Sequence, residues 1–375
     1  MNESFQPHLH SRGSEGVTEP HGSASGSAVT PFSCPAPLAA VERIVLGHGS
    51  GGRLSAELLR DVFLPMFSNP VLDRLEDQAY LEIGGVRVAF TTDSFVVNPL
   101  FFPGGDIGSL AVHGTINDLA MGGARPLYIS AGFILEEGLD MEVLRRATAS
   151  MAAAARSAGV AIVTGDTKVV EKGKGDGLFI NTTGIGIVPE GVCLSASNAR
   201  PGDRVILSGS IGDHGIAIMA TRDGLEFETA IVSDSAALHT LVDEMLCVSK
   251  TDIRCMRDPT RGGVASALNE IAAQSGVKIQ IEEGQIPVRD EVKGACELLG
   301  LDPLYVANEG KLLAVVSPEA ADVILLSMRR HPLGRDAAII GTVGEKRAGL
   351  VTMRTPFGST RIVDMLAGDQ LPRIC

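Results

Sequence analysis

The sequence predicts an α+β protein built from two α/β-containing domains, and three observations carry that expectation. At 375 residues the chain exceeds one ordinary domain. Segments of helical and strand period are intermixed, without the strict alternation of a doubly wound parallel sheet. A pattern of strand, Gly-rich turn and helix that opens near residue 41 begins again past Pro189. The spacing of these signals predicts a disordered extension over 1–40, an N-terminal domain over 41–194, a C-terminal domain over 195–365 and a mobile tail over 366–375.

The elements follow in order. "VERIVLGHGSGGRLSAELLRDVF" reads as a short apolar strand, a Gly-rich loop and a helix whose Leu54, Leu58, Leu59 and Phe63 recur at helical spacing. "YLEIGGVRVAFTTDSFVV" reads as two strands joined through Gly84 and Gly85. "SLAVHGTINDLAMGG" is a helix ended by Gly122 and Gly123, and a longer helix runs from a cap at Asp140 to Gly159. "VAIVTGDTKVV" and "LFINTTGIGIV" are strands. In the second half a strand, a turn and a helix fall in "PGDRVILSGSIGDHGIAIM". Helices are expected around 235–248, 263–274 and 318–330, and strands at 277–282, 311–316, 337–343 and 349–353.

Composition removes several classes of function. The formal charge is −13 and no Lys/Arg run occurs, so nucleic acid and anionic membrane surfaces are poor partners. No stretch approaches the ~20 apolar residues of a membrane span. The N-terminus lacks the basic start and apolar segment of a signal peptide. Rich in Ser, Gly, Pro and His, it reads as disordered. The six cysteines are scattered, with no CxxC, which fits reduced thiols in a cytoplasmic protein.

"GHGSGGRL" imitates a P-loop, but Arg53 and Leu54 stand where the phosphate-binding Lys and the magnesium-binding Ser/Thr would be. Its Gly49, Gly51 and Gly52 either fold over phosphate through backbone N–H groups or form an ordinary turn, and the residues alone leave both readings open. Asp77, Asp93, Asp118, Asp166 and Asp258 each sit at the end of an apolar element or on a helix flanked by small residues. Carboxylates converging from separate elements suit a magnesium ion that bridges nucleotide phosphates. Any one of them equally suits a cap or a turn, a reading that weakens when five recur. Lys168 and Glu309 are candidates for moving protons if enclosed. Last comes Cys375, a thiol on the final residue, where nothing downstream can bury it. Eight residues from Gly368 span at most about 25–29 Å, enough to enter a cleft or reach a partner.

Together "GHGSGGR", "TTDSFVVNPLFFPGGDIGSLAVHGTINDLAMGGARP", "GDTKVV", "RDPTRGGVA", "NEGKL" and the terminal "PRIC" resemble the HypE family of hydrogenase maturation proteins, from about residue 41 to residue 375. The internal blocks fit a wider superfamily that includes aminoimidazole ribonucleotide synthetase, selenophosphate synthetase and thiamine monophosphate kinase, and "PRIC" narrows it. The resemblance implies an aminoimidazole ribonucleotide synthetase-like fold and an activity. ATP would drive dehydration of a carbamoyl group on the terminal cysteine to a thiocyanate, whose cyano group becomes a ligand of iron in nickel-iron hydrogenases. It implies a carbamoyltransferase, HypF, that loads the thiol, a HypC–HypD complex that receives cyanide, and a homodimer. By the same resemblance Cys375 is the carrier, and Asp77, Asp93, Asp118 and Asp258 hold Mg2+ and ATP. Lys168 and Glu309 then lie near the thiol. Gln78 departs from the acidic run of many superfamily members, which lowers the number of metal ligands expected there. Two rivals remain at this point: a superfamily kinase or synthetase acting on a free small molecule, and a non-catalytic thiol carrier.

Overall fold

A computed structural model of the chain describes residues 43–225, 230–346, 349–368, 371 and 373–375. The expected disordered extension over 1–40 lies outside the described residues. The first sheet runs in the order β1-β2-β7-β5-β6. Its strands are β1 (Ala79–Ile83), β2 (Val86–Phe95), β5 (Arg125–Glu136), β6 (Ala161–Val170) and β7 (Leu178–Ile187), with a small ribbon of β3 (Phe101–Phe102) and β4 (Gly105–Asp106) beside it. In this sheet, among the described residues, only β5 and β6 pair in parallel. Two helices cover one face, α3 (Ile107–Met121) and α4 (Met141–Ser157). Asp106 caps α3 by accepting from the amides of Gly108 and Ser109, and Asp140 caps α4 by accepting from Glu142 N.

The second sheet has the order β14-β13-β10-β12-β8-β11-β9. These strands are β8 (Arg204–Leu207), β9 (Ile253–Arg257), β10 (Val277–Glu282), β11 (Leu313–Val316), β12 (Ala338–Lys346), β13 (Leu350–Arg354) and β14 (Thr360–Ile362). Helix α7 (Gly263–Ser275) packs one face, and α6 (His239–Val248) with α9 (Ala321–Arg330) packs the other. Helices α5 (Asp213–Asp223) and α8 (Asp290–Leu299) lie against each other beside the sheet. The intermixed, mostly antiparallel architecture agrees with the α+β expectation.

Helix α3 belongs to both halves. Ile107, Leu110, Ala111 and Ile116 enter the core beneath the first sheet, whereas Leu119, Ala120 and Met121 join the apolar cluster of α6, α9 and β8. A helix apolar nearly all round is buried on all sides. Its polar residues therefore point into interior space, and Asn117 and Asp118 are two of them.

Three differences from the sequence reading matter. No strand forms over 43–49; Leu46–Gly49 is a single 3-10 turn. The following helix is broken into α1 (Arg53–Leu58), a π turn over Leu59–Phe63 and α2 (Leu64–Phe67), with Val62, Phe63, Met66 and Phe67 exposed. Strand β5, an interior strand of the first sheet, has no counterpart among the expected elements.

Candidate active site

Four aspartates reach one cleft from four elements. Asp77 precedes β1, Asp93 lies near the end of β2, Asp118 is on α3 and Asp258 follows β9. All four line a cavity of about 300 Å³, with Gly51, Thr91, Arg257 and Arg261 among the other walls. Strand β2 alternates, so Ala89, Thr91 and Asp93 share the face toward α3. Thr91 Oγ1 donates to Asp118 Oδ2 at 2.8 Å, tying helix to strand.

Enclosure and mutual repulsion dominate the electrostatics. Burial, then the nearby charges of Asp258, Asp93 and Asp77, push the Asp118 carboxyl well above the usual carboxylate range. Burial, with Asp77 as the next cause, pushes Asp258 up to about 8. Asp93 and Asp77 are raised by the same loss of solvent. Two cations face this charge. Arg257 ion-pairs with Asp77 and also lies 3.9 Å from Glu76 and 3.6 Å from Glu270, while its Nη2 donates to Leu75 O at 2.6 Å. Arg261 is drawn on by Cys375, Asp93, Glu309 and Asp118 together. An enclosed acidic set with so little compensation fits a cation and a polyphosphate. Among the described residues no three His, Cys, Asp or Glu side chains form a metal cage unaided.

Glu309 and Cys375 complete the site. Glu309 is 3 % exposed, and one carboxyl oxygen has no hydrogen-bond partner. Its backbone is held from both sides: Glu309 N donates to Asp234 Oδ1 at 3.0 Å, and Glu309 O accepts from Asn117 Nδ2 at 3.2 Å and Ala236 N at 3.3 Å. Burial, followed by Asp258 and Asp93, holds its carboxyl well above the ordinary range. Cys375 differs from the expectation of an exposed thiol. It is 8 % exposed and packs in the core under α3, because its main chain pairs with residues just beyond β2: Val96 N donates to Cys375 O at 3.0 Å. Burial pushes the thiol up, with Arg261 opposing and Glu309, Asp93 and Asp258 reinforcing.

The Gly-rich loop bridges cleft and tail. A Cβ on Gly51, whose φ is +71°, would stand 2.6 Å from Arg261 O, and one on Gly52 would stand 2.4 Å from Leu366 O. Side chains are excluded there by approaching backbone. Gly49 has open space around it, and its carbonyl accepts from Arg261 Nη1 at 2.9 Å. Gln78, 7 % exposed, packs against the Gly122 turn rather than into the cleft.

Asp166 and Lys168 are not brought to this cleft within one chain. They form an exposed ion pair at 2.5 Å on the edge strand β6. Asp166 is in register with Gly132, Gly132 with Asn181, and Asn181 with Ser94. Both side chains therefore share the face of Ser94, opposite to Asp93 and α3. Sequence reasoning missed Arg257, Arg261 and Thr91; the first two flank Asp258 within "RDPTR", and arginines so close to an acidic candidate were the available signal.

Comparison with known proteins agrees with this geometry. Residues 75–188 match the family model of the AIR synthase related protein N-terminal domain, and residues 200–353 that of its C-terminal domain. The carbamoyl dehydratase HypE of Azotobacter vinelandii is 61% identical over 328 residues, covering 88% of this chain and 96% of that protein. A crystal structure of a HypE–HypF complex superposes with TM-score 0.79 at 51% identity, covering 82% of this chain and 99% of that one. The hydrogenase maturation protein HypE in complex with ATP superposes with TM-score 0.74 at 52% identity, covering 89% and 100%. The acidic cleft, the AIR synthase-related fold and the terminal cysteine fall together in one way, and the chain belongs to the HypE family of carbamoyl dehydratases.

Proposed function

We propose that the chain uses ATP to dehydrate a carbamoyl group on Cys375 to a thiocyanate, supplying the cyano ligand of iron in nickel-iron hydrogenases. The observation that carries this is the enclosure of the chain's last thiol beside Glu309 and the carboxylate cleft, in a family whose members are carbamoyl dehydratases. An amide oxygen is a poor leaving group and phosphate a good one. The carbonyl oxygen attacks the γ-phosphorus, ADP departs, and the oxygen is then carried by the phosphoryl group. Loss of two protons from nitrogen forms the C≡N bond as the C–O bond breaks and phosphate leaves with that oxygen. Glu309, through the carboxyl oxygen that has no other partner, takes one of these protons, and the departing phosphate carries the other. Arg261 faces the same space and stabilises charge that develops on the transferring group. Asp77, Asp93, Asp118 and Asp258 are the residues that would hold Mg2+, which when bound neutralises the phosphates of ATP. Gly49, Gly51 and Gly52 contribute as the loop at the cleft's edge.

Partners follow from the same reading. HypF loads the thiol and a HypC–HypD complex accepts the cyanide. A homodimer forms through the open face of the first sheet, where Phe90, Tyr128 and Ile185 stand in one cross-strand row at 38–49% exposure. Asp166 and Lys168 lie on that face, so any part they take in the chemistry runs through the dimer. No helix among the described residues is long and apolar enough to cross a membrane. The scattered cysteines support a cytoplasmic location. The division into domains at about residue 195 is supported by the family models, which stop at 188 and resume at 200.

The test is the mass of the C-terminal peptide after incubation with the carbamoyltransferase, carbamoyl phosphate and ATP. Appearance of a carbamoyl adduct that loses one water only with ATP and magnesium supports the reading. A carbamoyl adduct that persists under those conditions overturns it.

A further inference from the structure

The last three residues are gripped by their main chain. Asn98 N donates to Arg373 O at 3.2 Å and Val96 N to Cys375 O at 3.0 Å, so the tail lies along residues 96–98 in one register, directly beyond the strand that carries Asp93. Two side chains of α5 reach the same stretch: Arg222 adds a second donor to Arg373 O, and His214 meets Ile374 O. Arg222 Nη2 donates to Arg373 O at 2.8 Å and, with Nε, to Asn98 O at 2.6 and 2.9 Å. His214 Nε2 lies 3.0 Å from Ile374 O.

His214 is wholly buried and its hydrogen-bond direction is determined. A carbonyl oxygen has no proton to give, so Nε2 carries the hydrogen. Nδ1 then accepts from Ser233 Oγ at 2.8 Å, and Ser233 Oγ accepts from Ser235 N at 3.1 Å. Each proton in this relay has one place to go, and the chain ends on the tail. The ring stands edge-on to Phe102, 5.5 Å between centroids, and burial keeps it neutral by lowering its affinity for a second proton. With the tail withdrawn, the interior would hold a donor with no protein acceptor, an unfavourable arrangement. A buried, oriented donor of this kind is a receptor for the docked tail.

We propose that His214 and Arg222 are positioning residues of a tail dock that reads the main-chain carbonyls of Ile374 and Arg373 and so sets the Cys375 thiol in register with Asp93 and Glu309. The proposal rests on the reading of Cys375 as carrier. Because the contacts are to backbone, the dock measures distance from the chain end: one residue inserted before Cys375 places the thiol one residue beyond the position these contacts set. Ile374, 1 % exposed, and Leu371 supply apolar anchoring, and Arg373 ties the tail to Asp176.

The test uses the full chain and reads Cys375 separately from the exposed Cys193 and Cys247 by peptide mass. In His214→Phe, which keeps an aromatic ring and removes both polar atoms, alkylation of Cys375 by iodoacetamide should quicken at least tenfold. Cys193 and Cys247 should react at unchanged rates. ATP-driven water loss from the carbamoylated thiol should slow at least tenfold while ATP affinity stays the same. His214→Gln, which restores a donor, should recover part of both effects. Arg222→Met, at a partly exposed position, keeps the test decisive should His214→Phe not fold. Wild-type rates of alkylation and water loss in every variant that folds overturn the dock. Faster alkylation in a protein whose wild type never loses water would keep the dock and remove the carrier reading.

Discussion

Glu309 illustrates how the interior changes what a residue does. In "ANEGKLL" it is one acidic residue before a strand; in the fold it is fixed through its own backbone by Asp234 and Asn117, with one buried carboxyl oxygen left without a hydrogen-bond partner. Glu309→Gln keeps size and polarity but removes the base. We expect loading of Cys375 and ATP binding to persist while thiocyanate formation falls by about 10²–10⁴-fold, measured by single-turnover mass analysis. At this scale the sequence was informative about carboxylates and silent about their partners. Asp77, Asp93, Asp118 and Asp258 carry recognisable flanks. Arg261 and His214 matter only through what folding brings to them, from as far away as residue 375.

The helix α3 and the loop that crosses it set the behaviour of the next scale. His113 on α3 contacts Ser235 Oγ at 3.0 Å, two residues from the serine that orients His214. Burial lowers its pKa from 6.5 to about 4, with Asp106 opposing and His239 adding to the effect. Below pH 6.5 the unfolded chain takes up a proton that the folded state refuses, so stability is lost as pH falls from about 6.5 to 4. The contribution is on the order of 2–3 kcal/mol across that window. Denaturant titrations should show a shallower pH slope there for His113→Asn than for the wild type. Elements with sharp caps, such as α4 between Asp140 and Gly159, were legible in advance. Strand β5 was not, because "PLYISAGFIL" is nearly continuous in apolar and small residues and shows neither period clearly. The short strand expected before the Gly-rich loop is absent among the described residues for the opposite reason: its apolar residues find no sheet edge, and Ile44 and Leu46 stay exposed.

For the whole molecule, the first sheet has one face covered by α3 and α4 and one face open. The exposed row of Phe90, Ile185 and Tyr128 on that face supports the proposed homodimer. Ile185→Asp, in the centre of the row between Phe90 and Tyr128, should convert a species near twice 39.1 kDa into one near 39.1 kDa by light scattering, with the fold retained by circular dichroism. A wild-type protein already near 39.1 kDa would contradict the dimer. In the second half the expected strand, turn and helix past Pro189 form as β8 and α5, whereas the Gly-rich loop of the first half has no strand before it among the described residues. The open face was not readable, since an alternating strand looks the same whether its second face meets water or a partner.

The central claim is that ATP converts the carbamoyl oxygen into a phosphate oxygen, and one measurement follows that atom. Cys375 is loaded with a carbamoyl group carrying 18O at its carbonyl, ATP is added, and the inorganic phosphate released is analysed by mass. One 18O in phosphate for each thiocyanate formed is the predicted result. Thiocyanate formed with unlabelled phosphate and the label in water would contradict the account.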